Sequence, residues 1–313
     1  KIATQNCLDT GSLHWANYAI VFSRPQSILF NTHSLEQVID DNEHAYDFHY
    51  EHNDREVLLQ QSHTLSFCYW LSATERVLDE KQSTFDSVMY EREMSQAGNF
   101  LIRTYYHFFQ MLQAYLQADL DSAIHHGAMG VEYASETMGN LIEAPVRFIY
   151  LLCLLQKKDA RLTTWRRLSL SYQKPRQLLK HMAKANPDEF MPMELMLRAE
   201  EARVDKKQNA VELYDKAIKA ANKTGYHLFR AMANELAATF YLKQDRHTVA
   251  SAYMSEAYKL YYAWGALAKT QLMEHAFPEW FTHGSGHMSQ QEHAAPIAGR
   301  EWQSNELDVM ALI

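Results

Sequence analysis

Residues 209–265 read "NAVELYDKAIKAANKTGYHLFRAMANELAATFYLKQDRHTVASAYMSEAYKLYYAWG". Apolar side chains recur here every three to four residues, the period of an amphipathic helix. Gly225 and Gly265 each stand where such a run stops, as glycine does when a helix ends in the left-handed conformation. Ala210, Tyr214 and Ala217 fall at i, i+4 and i+7 of one run. Ala250, Met254 and Ala257 repeat that small–large–small pattern 40 residues on. Small residues at such positions let paired helices approach closely, and the bulky one fills the next layer. The stretch therefore predicts a helix pair used as a repeating unit.

The same unit extends outward in both directions. Helical spacing covers 12–22, 35–50, 54–74, 83–98, 100–119, 120–139, 141–159, 160–173, 192–207, 209–225, 226–245, 246–265 and 266–280. Ala118, Leu120 and Ala123 mark a similar junction upstream, and Pro175 is expected to end or kink its helix. Only 10 glycines and 7 prolines occur in 313 residues, too few for the turns of a sheet protein of this length. Pairs repeating near 40 residues follow the logic of the tetratricopeptide repeat at longer spacing. The predicted fold is all-α, an α-solenoid of tetratricopeptide-like antiparallel helix pairs over 1–282, with a generic helical bundle as the alternative.

Charge and motifs narrow the function. A net charge of −8 argues against a nucleic-acid binder. Cys7, Cys68 and Cys153 lie far apart without zinc spacing, which suits reduced thiols in a cytoplasmic protein. The longest apolar run, Phe148 to Leu155, falls well short of the ~20 residues that span a bilayer, so no direct membrane insertion is expected. No Gly-Lys dipeptide, HRD or DFG pattern occurs, leaving no seat for nucleotide or kinase chemistry, and no GxSxG pattern marks a nucleophile elbow, although sequence alone leaves a Ser-His-Asp triad open. No catalytic residue, cofactor or metal is expected. His125 and His126 point to different sides of a helix, and His44, His49 and His52 among Asp40, Asp41, Glu43, Asp47 and Glu51 read as solvated polarity.

Two features suit a protein or peptide partner. The helix "RTYYHFFQMLQAYLQAD" is aromatic or apolar on every side, so it is either core or a binding face. With Ala114 and Ala123 at repeat positions, Tyr105, Phe108, Leu112 and Tyr115 would line a concave groove; the same residues also suit a core between layers. From Ala160 to Pro187, Arg161, Arg166, Arg167, Lys174, Arg176, Lys180 and Lys184 are interrupted by no carboxylate. Such a run is either a solvated helix face or a patch for an acidic segment.

"ELYDKAI", "ANELAATFYL", "AYMSEAY" and "WGALAK" resemble the helical repeat region of large bacterial signalling proteins. Those proteins join a serine/threonine-kinase-like domain, an AAA/STAND-type ATPase, this repeat region, a GAF domain and a sensor histidine kinase. The resemblance is strong over 192–280 and weaker at 9–19 and 103–124; Pro175 departs from its pattern. It implies a non-catalytic scaffolding or sensory segment of a two-component kinase. The alternative it implies is a solenoid that holds a small-molecule inducer, as in STAND regulators.

The end of the chain differs. "HGSGHM", 283–288, resembles an engineered linker ahead of a separate peptide, 289–313. A tethered ligand gains effective concentration. That segment carries a net charge of −3, with Trp302, Glu306, Leu307, Val309, Met310 and Ile313 as anchors, which makes it a candidate partner for the surface described above.

Overall fold

The computed structural model describes residues 6, 9–30, 32–51, 55–74, 92–93, 98–137, 139–160 and 165–281. Among them every regular element is a helix. In chain order these are α1 (Leu13–Ser27), α2 (Leu35–Glu51), α3 (Arg55–Leu71), α4 (Phe100–Leu116), α5 (Leu120–Ala134), α6 (Glu143–Ala160) and α7 (Trp165–Ala185). They continue with α8 (Pro187–Val204), α9 (Ala210–Thr224), α10 (His227–Leu242), α11 (His247–Trp264), α12 (Leu267–Ala276) and the single turn α13 (Pro278–Phe281). The helix expected over 83–98 falls almost wholly outside the described residues, as do Cys7, His52 and 282–313.

One closure recurs where helices double back. After α3, α4, α8 and α10 a non-glycine residue takes a left-handed φ: Ala73 (52°), Ala118 (65°), Lys206 (53°) and Asp245 (57°). At each joint that residue's N–H reaches the carbonyl three back, and the next N–H reaches the carbonyl five back, as Ala118 to Tyr115 and Asp119 to Ala114. Lys206/Lys207 and Asp245/Arg246 repeat the pattern, which satisfies carbonyls the helix end leaves open. Gly225 (φ 76°) and Gly265 (φ 97°) end α9 and α11 as the sequence indicates.

The layer positions read from the sequence are interior. Ala210, Tyr214, Ala217, Ala250, Met254 and Ala257 are all buried. α5 comes close to its neighbours through glycines: a Cβ on Gly127 would stand 2.5 Å from the Tyr150 ring and 2.9 Å from Met111 Sδ. α6 is buried on every side from Val146 to Leu155, so it forms the centre of the core.

Pro175 neither ends nor replaces its helix: α7 runs through it to Ala185. Proline removes one backbone hydrogen bond, but Tyr172, Pro175, Leu179 and Ala183 all bury on one face, and that burial carries the helix onward. α8 likewise starts at Pro187 rather than 192, with proline in the first turn where its missing N–H costs nothing.

The packing is more than nearest-neighbour. α3 packs on α4 and also on α12. Between α1 and α2 the chain lies across later helices: Phe30 meets Phe190, Tyr226 and Phe229 at ring separations of 6.3, 5.6 and 6.1 Å. The first helices thus fold back onto the last ones.

Candidate functional site

The aromatic helix α4 is core. Tyr105, Phe108 and Leu112 are 1%, 0% and 0% exposed, which corrects the expectation of an open groove there. α3, α5 and α6 all pack on α4 and cover the face that carries these side chains. Tyr115 is half-buried against the same core. Burial, with the Glu235 charge nearby, holds its hydroxyl well above the usual phenol range. The Tyr105 hydroxyl accepts from Gln26 Nε2 at 3.1 Å, which ties α4 to α1.

The basic stretch divides. Arg176 does not belong to a free patch. It is 14% exposed and forms a two-pronged pair with Glu194 (2.8 and 3.0 Å), while Nε donates to Glu201 at 2.7 Å. Burial opposes its charge, but the hydrogen bonds it donates to Glu201 and Glu194 prevail and keep it firmly protonated. Tyr172 completes the network by donating to Glu201 at 2.7 Å. Beside it, Arg203, Glu200 and Tyr214 form a second buried set, with the Tyr214 hydroxyl donating to Glu200. Lys174, Lys180 and Lys184 are exposed on α7, with Leu170 at 83% exposure on the same helix. Arg161, and the side chains of Arg166 and Arg167, lie outside what is described.

Among the described residues no group of three His, Cys, Asp or Glu could hold an ion. His125 and His126 do diverge, His125 exposed and His126 turned inward with its Nδ1 3.1 Å from His107 Nδ1. Nearby, His63 Nε2 lies 3.1 Å from Gln110 Nε2. His49 is fully buried on α2 rather than solvated. Cys68 and Cys153 are free and buried, and burial pushes both thiols far above the usual range.

The best-formed docking geometry is one that helical periodicity did not single out. The segment from Gln26 to Leu35 runs across the starts of several helices like a strap. Gln26 Nε2 donates to Asn140 Oδ1 at 3.1 Å. Phe30, half-buried, sits among Phe190, Tyr226 and Phe229. His227 lies parallel to Trp264 and donates through Nε2 to the Thr32 carbonyl at 3.0 Å. A Cβ on Gly265 would meet Leu35 Cβ at 3.4 Å. Tyr226 is itself oriented by donation to Glu189 at 2.7 Å; burial and that carboxylate push its hydroxyl up to about 12. No periodic signal marks such a strap, because its partners lie up to 195 residues away.

No helix among the described residues is long and apolar enough to cross a membrane. Compared with known proteins, a stretch of 53 residues is 40% identical to "Hybrid signal transduction histidine kinase G" of Dictyostelium discoideum. That stretch is 17% of this chain and 2% of that protein. No family model matches the chain, and no solved structure matches it. The chain is thus an all-helical protein with a short similarity to a signal-transduction kinase.

Proposed function

We propose that the chain is a non-catalytic, cytoplasmic protein- or peptide-binding scaffold of a signal-transduction kinase, an α-solenoid of tetratricopeptide-like helix pairs. The observation that carries this reading is the recurrent closure at Ala118, Lys206 and Asp245, each joining two helices of a pair. The short likeness to a hybrid histidine kinase supports the signalling context. The partner is a short acidic–hydrophobic segment, for which 289–313 is the candidate. Lys174, Lys180 and Lys184, exposed beside Leu170, supply the complementary charge. Charges of this kind steer and orient an acidic ligand more than they hold it.

The test is a titration of the free 289–313 peptide into the chain ending at residue 283, followed by fluorescence anisotropy. Saturable binding that weakens at higher salt is expected, with the association rate reduced by Lys174→Glu, Lys180→Glu and Lys184→Glu together. Absence of binding at any accessible concentration would remove the peptide reading.

A further inference from the structure

The strap and the tail share one residue, a leucine, and an order of residue types around it. Residues 30–36 read "FNTHSLE" and residues 302–308 read "WQSNELD". Position by position these are aromatic (Phe30, Trp302), amide (Asn31, Gln303), small hydroxyl (Thr32, Ser304), polar (His33, Asn305), polar (Ser34, Glu306), leucine (Leu35, Leu307) and acid (Glu36, Asp308). In the strap, the contacts described above fall on the matched positions. The aromatic ring enters the box, the hydroxyl residue's carbonyl accepts from His227, and the leucine meets Gly265. The acid follows in the first turn of α2, where a negative charge suits the exposed N–H groups of a helix start.

We propose that the aromatic box of Phe190, Tyr226 and Phe229, with His227 and Gly265, is the seat of the tail segment 302–308, and that the strap 26–35 is a built-in occupant which the tail displaces. The inference rests on the reading of 289–313 as a ligand and names where that ligand docks. Chemistry supports the exchange. Phe30 is only half-buried, so the outer edge of a larger indole there would face solvent. A backbone carbonyl is available from any residue, so Ser304 can replace Thr32 without loss of the His227 bond. The match departs at Glu306, since the Ser34 hydroxyl accepts from Gln37 N at 3.3 Å and a glutamate there is longer. The exposed lysines of α7 lead toward the box, since α7 ends at Ala185 and Phe190 follows in the first turns of α8. The acidic positions Glu301, Glu306 and Asp308 would meet that charge. Because the strap ties the starts of α8, α10 and α12 to α1, displacing it leaves the packing of α3 on α12 to hold the first helices against the last ones. Ligand capture and loosening of the two ends become one event.

The experiment uses the full chain carrying Trp302→Ala, so that its own tail cannot compete, and a free peptide of residues 297–313. Binding is read by fluorescence anisotropy of the peptide labelled at its N-terminus, and release of the strap by amide hydrogen exchange over 28–35. The peptide is expected to bind, to speed exchange at 28–35, and to bind about tenfold tighter when Phe30→Ala weakens the internal competitor. His227→Ala is expected to weaken it. If Phe30→Ala fails to fold by circular dichroism, faster exchange at 28–35 on adding peptide, together with the His227→Ala loss, decides the matter. Binding that leaves 28–35 protected and is unmoved by His227→Ala, but is lost with the three α7 lysines reversed, overturns this seat while the peptide reading survives. No binding to any variant overturns both.

Discussion

Arg176 shows what decides the role of a charge. In the sequence it is one of seven cations in a run without carboxylates. In the fold Glu194 and Glu201 reach it from a neighbouring helix, 18 and 25 residues on. A basic run therefore indicates where cations are, not which of them face water; that depends on helix packing, and only Lys174, Lys180 and Lys184 are seen to remain exposed. Arg176→Met leaves Glu194 buried without its partner, and loss of one member of a buried pair costs roughly 3–5 kcal/mol. Urea denaturation is expected to show that loss for Arg176→Met, and a near-neutral result for Lys180→Met. The buried histidines allow a second prediction. Burial and the nearby rings of His107 and His126 push His63 down to about 3. Burial, His126, His125 and Arg103 do the same to His107, also to about 3. In the unfolded chain both protonate near the ordinary value of about 6.5. Between these values the unfolded state binds more protons, so stability falls as pH drops from about 6.5 toward about 3. The fall approaches about 1.4 kcal/mol per pH unit for each histidine. Denaturation midpoints measured across that range are expected to decline, and His107→Gln to flatten the decline. A slope unchanged by that substitution would count against the assignment.

At the scale of the element, helix ends were legible where chemistry marks them and silent where it does not. Gly225 and Gly265 revealed their helix ends because glycine adopts positive φ without a steric cost. The equivalent closures at Ala118, Lys206 and Asp245 carry no glycine, so the sequence placed the junctions near 118 and 245 from the periodicity but did not show their left-handed conformation. The paired backbone hydrogen bonds of the closure hold those residues in a conformation that an L side chain resists. At Pro175 a local preference is likewise overridden: burial of Leu179 and Ala183 outweighs the lost hydrogen bond and the helix continues. A gain in stability should therefore be available at the closures. Replacing Ala118 by glycine relieves the left-handed strain but adds freedom to the unfolded chain, for a net stabilisation of about 0.5–1 kcal/mol. Lys206→Gly should do likewise and Asp245→Gly less, since aspartate tolerates this conformation better than most. Gly225→Ala should go the other way by about 1 kcal/mol, and its Cβ would also stand 3.2 Å from Thr32 Cγ2. Thermal unfolding of the four variants checks the series. A loss of stability in Ala118→Gly would mean that the closure is not strained.

At the scale of the whole molecule, the strap changes how the helices cooperate. A linear array in which each repeat touches only its neighbours unfolds as a string of coupled units, and its ends can open separately. Here Gln26, Phe30, Thr32 and Leu35 join the beginning of the chain to Asn140, Phe190, His227 and Gly265. Closing so long a loop costs little more than closing a short one, because the entropy grows only with the logarithm of length. A few contacts can therefore bind the two ends into one cooperative unit. This architecture was not legible in the sequence: helical periodicity reports which face of each helix is buried, but not which distant helix covers it. In denaturant-dependent hydrogen exchange, amides of α4–α6 and of α10–α11 are expected to share one opening free energy in the unaltered chain. Phe30→Ala combined with His227→Ala should separate them, with α10–α11 and α4–α6 opening at different denaturant concentrations while circular dichroism retains the full helix signal. If the two groups already open separately in the unaltered chain, the strap is a surface contact with no part in cooperativity. If they stay coincident in the double variant, the coupling passes through the stacked helices, and α6, buried on every side, would then be the element that carries it.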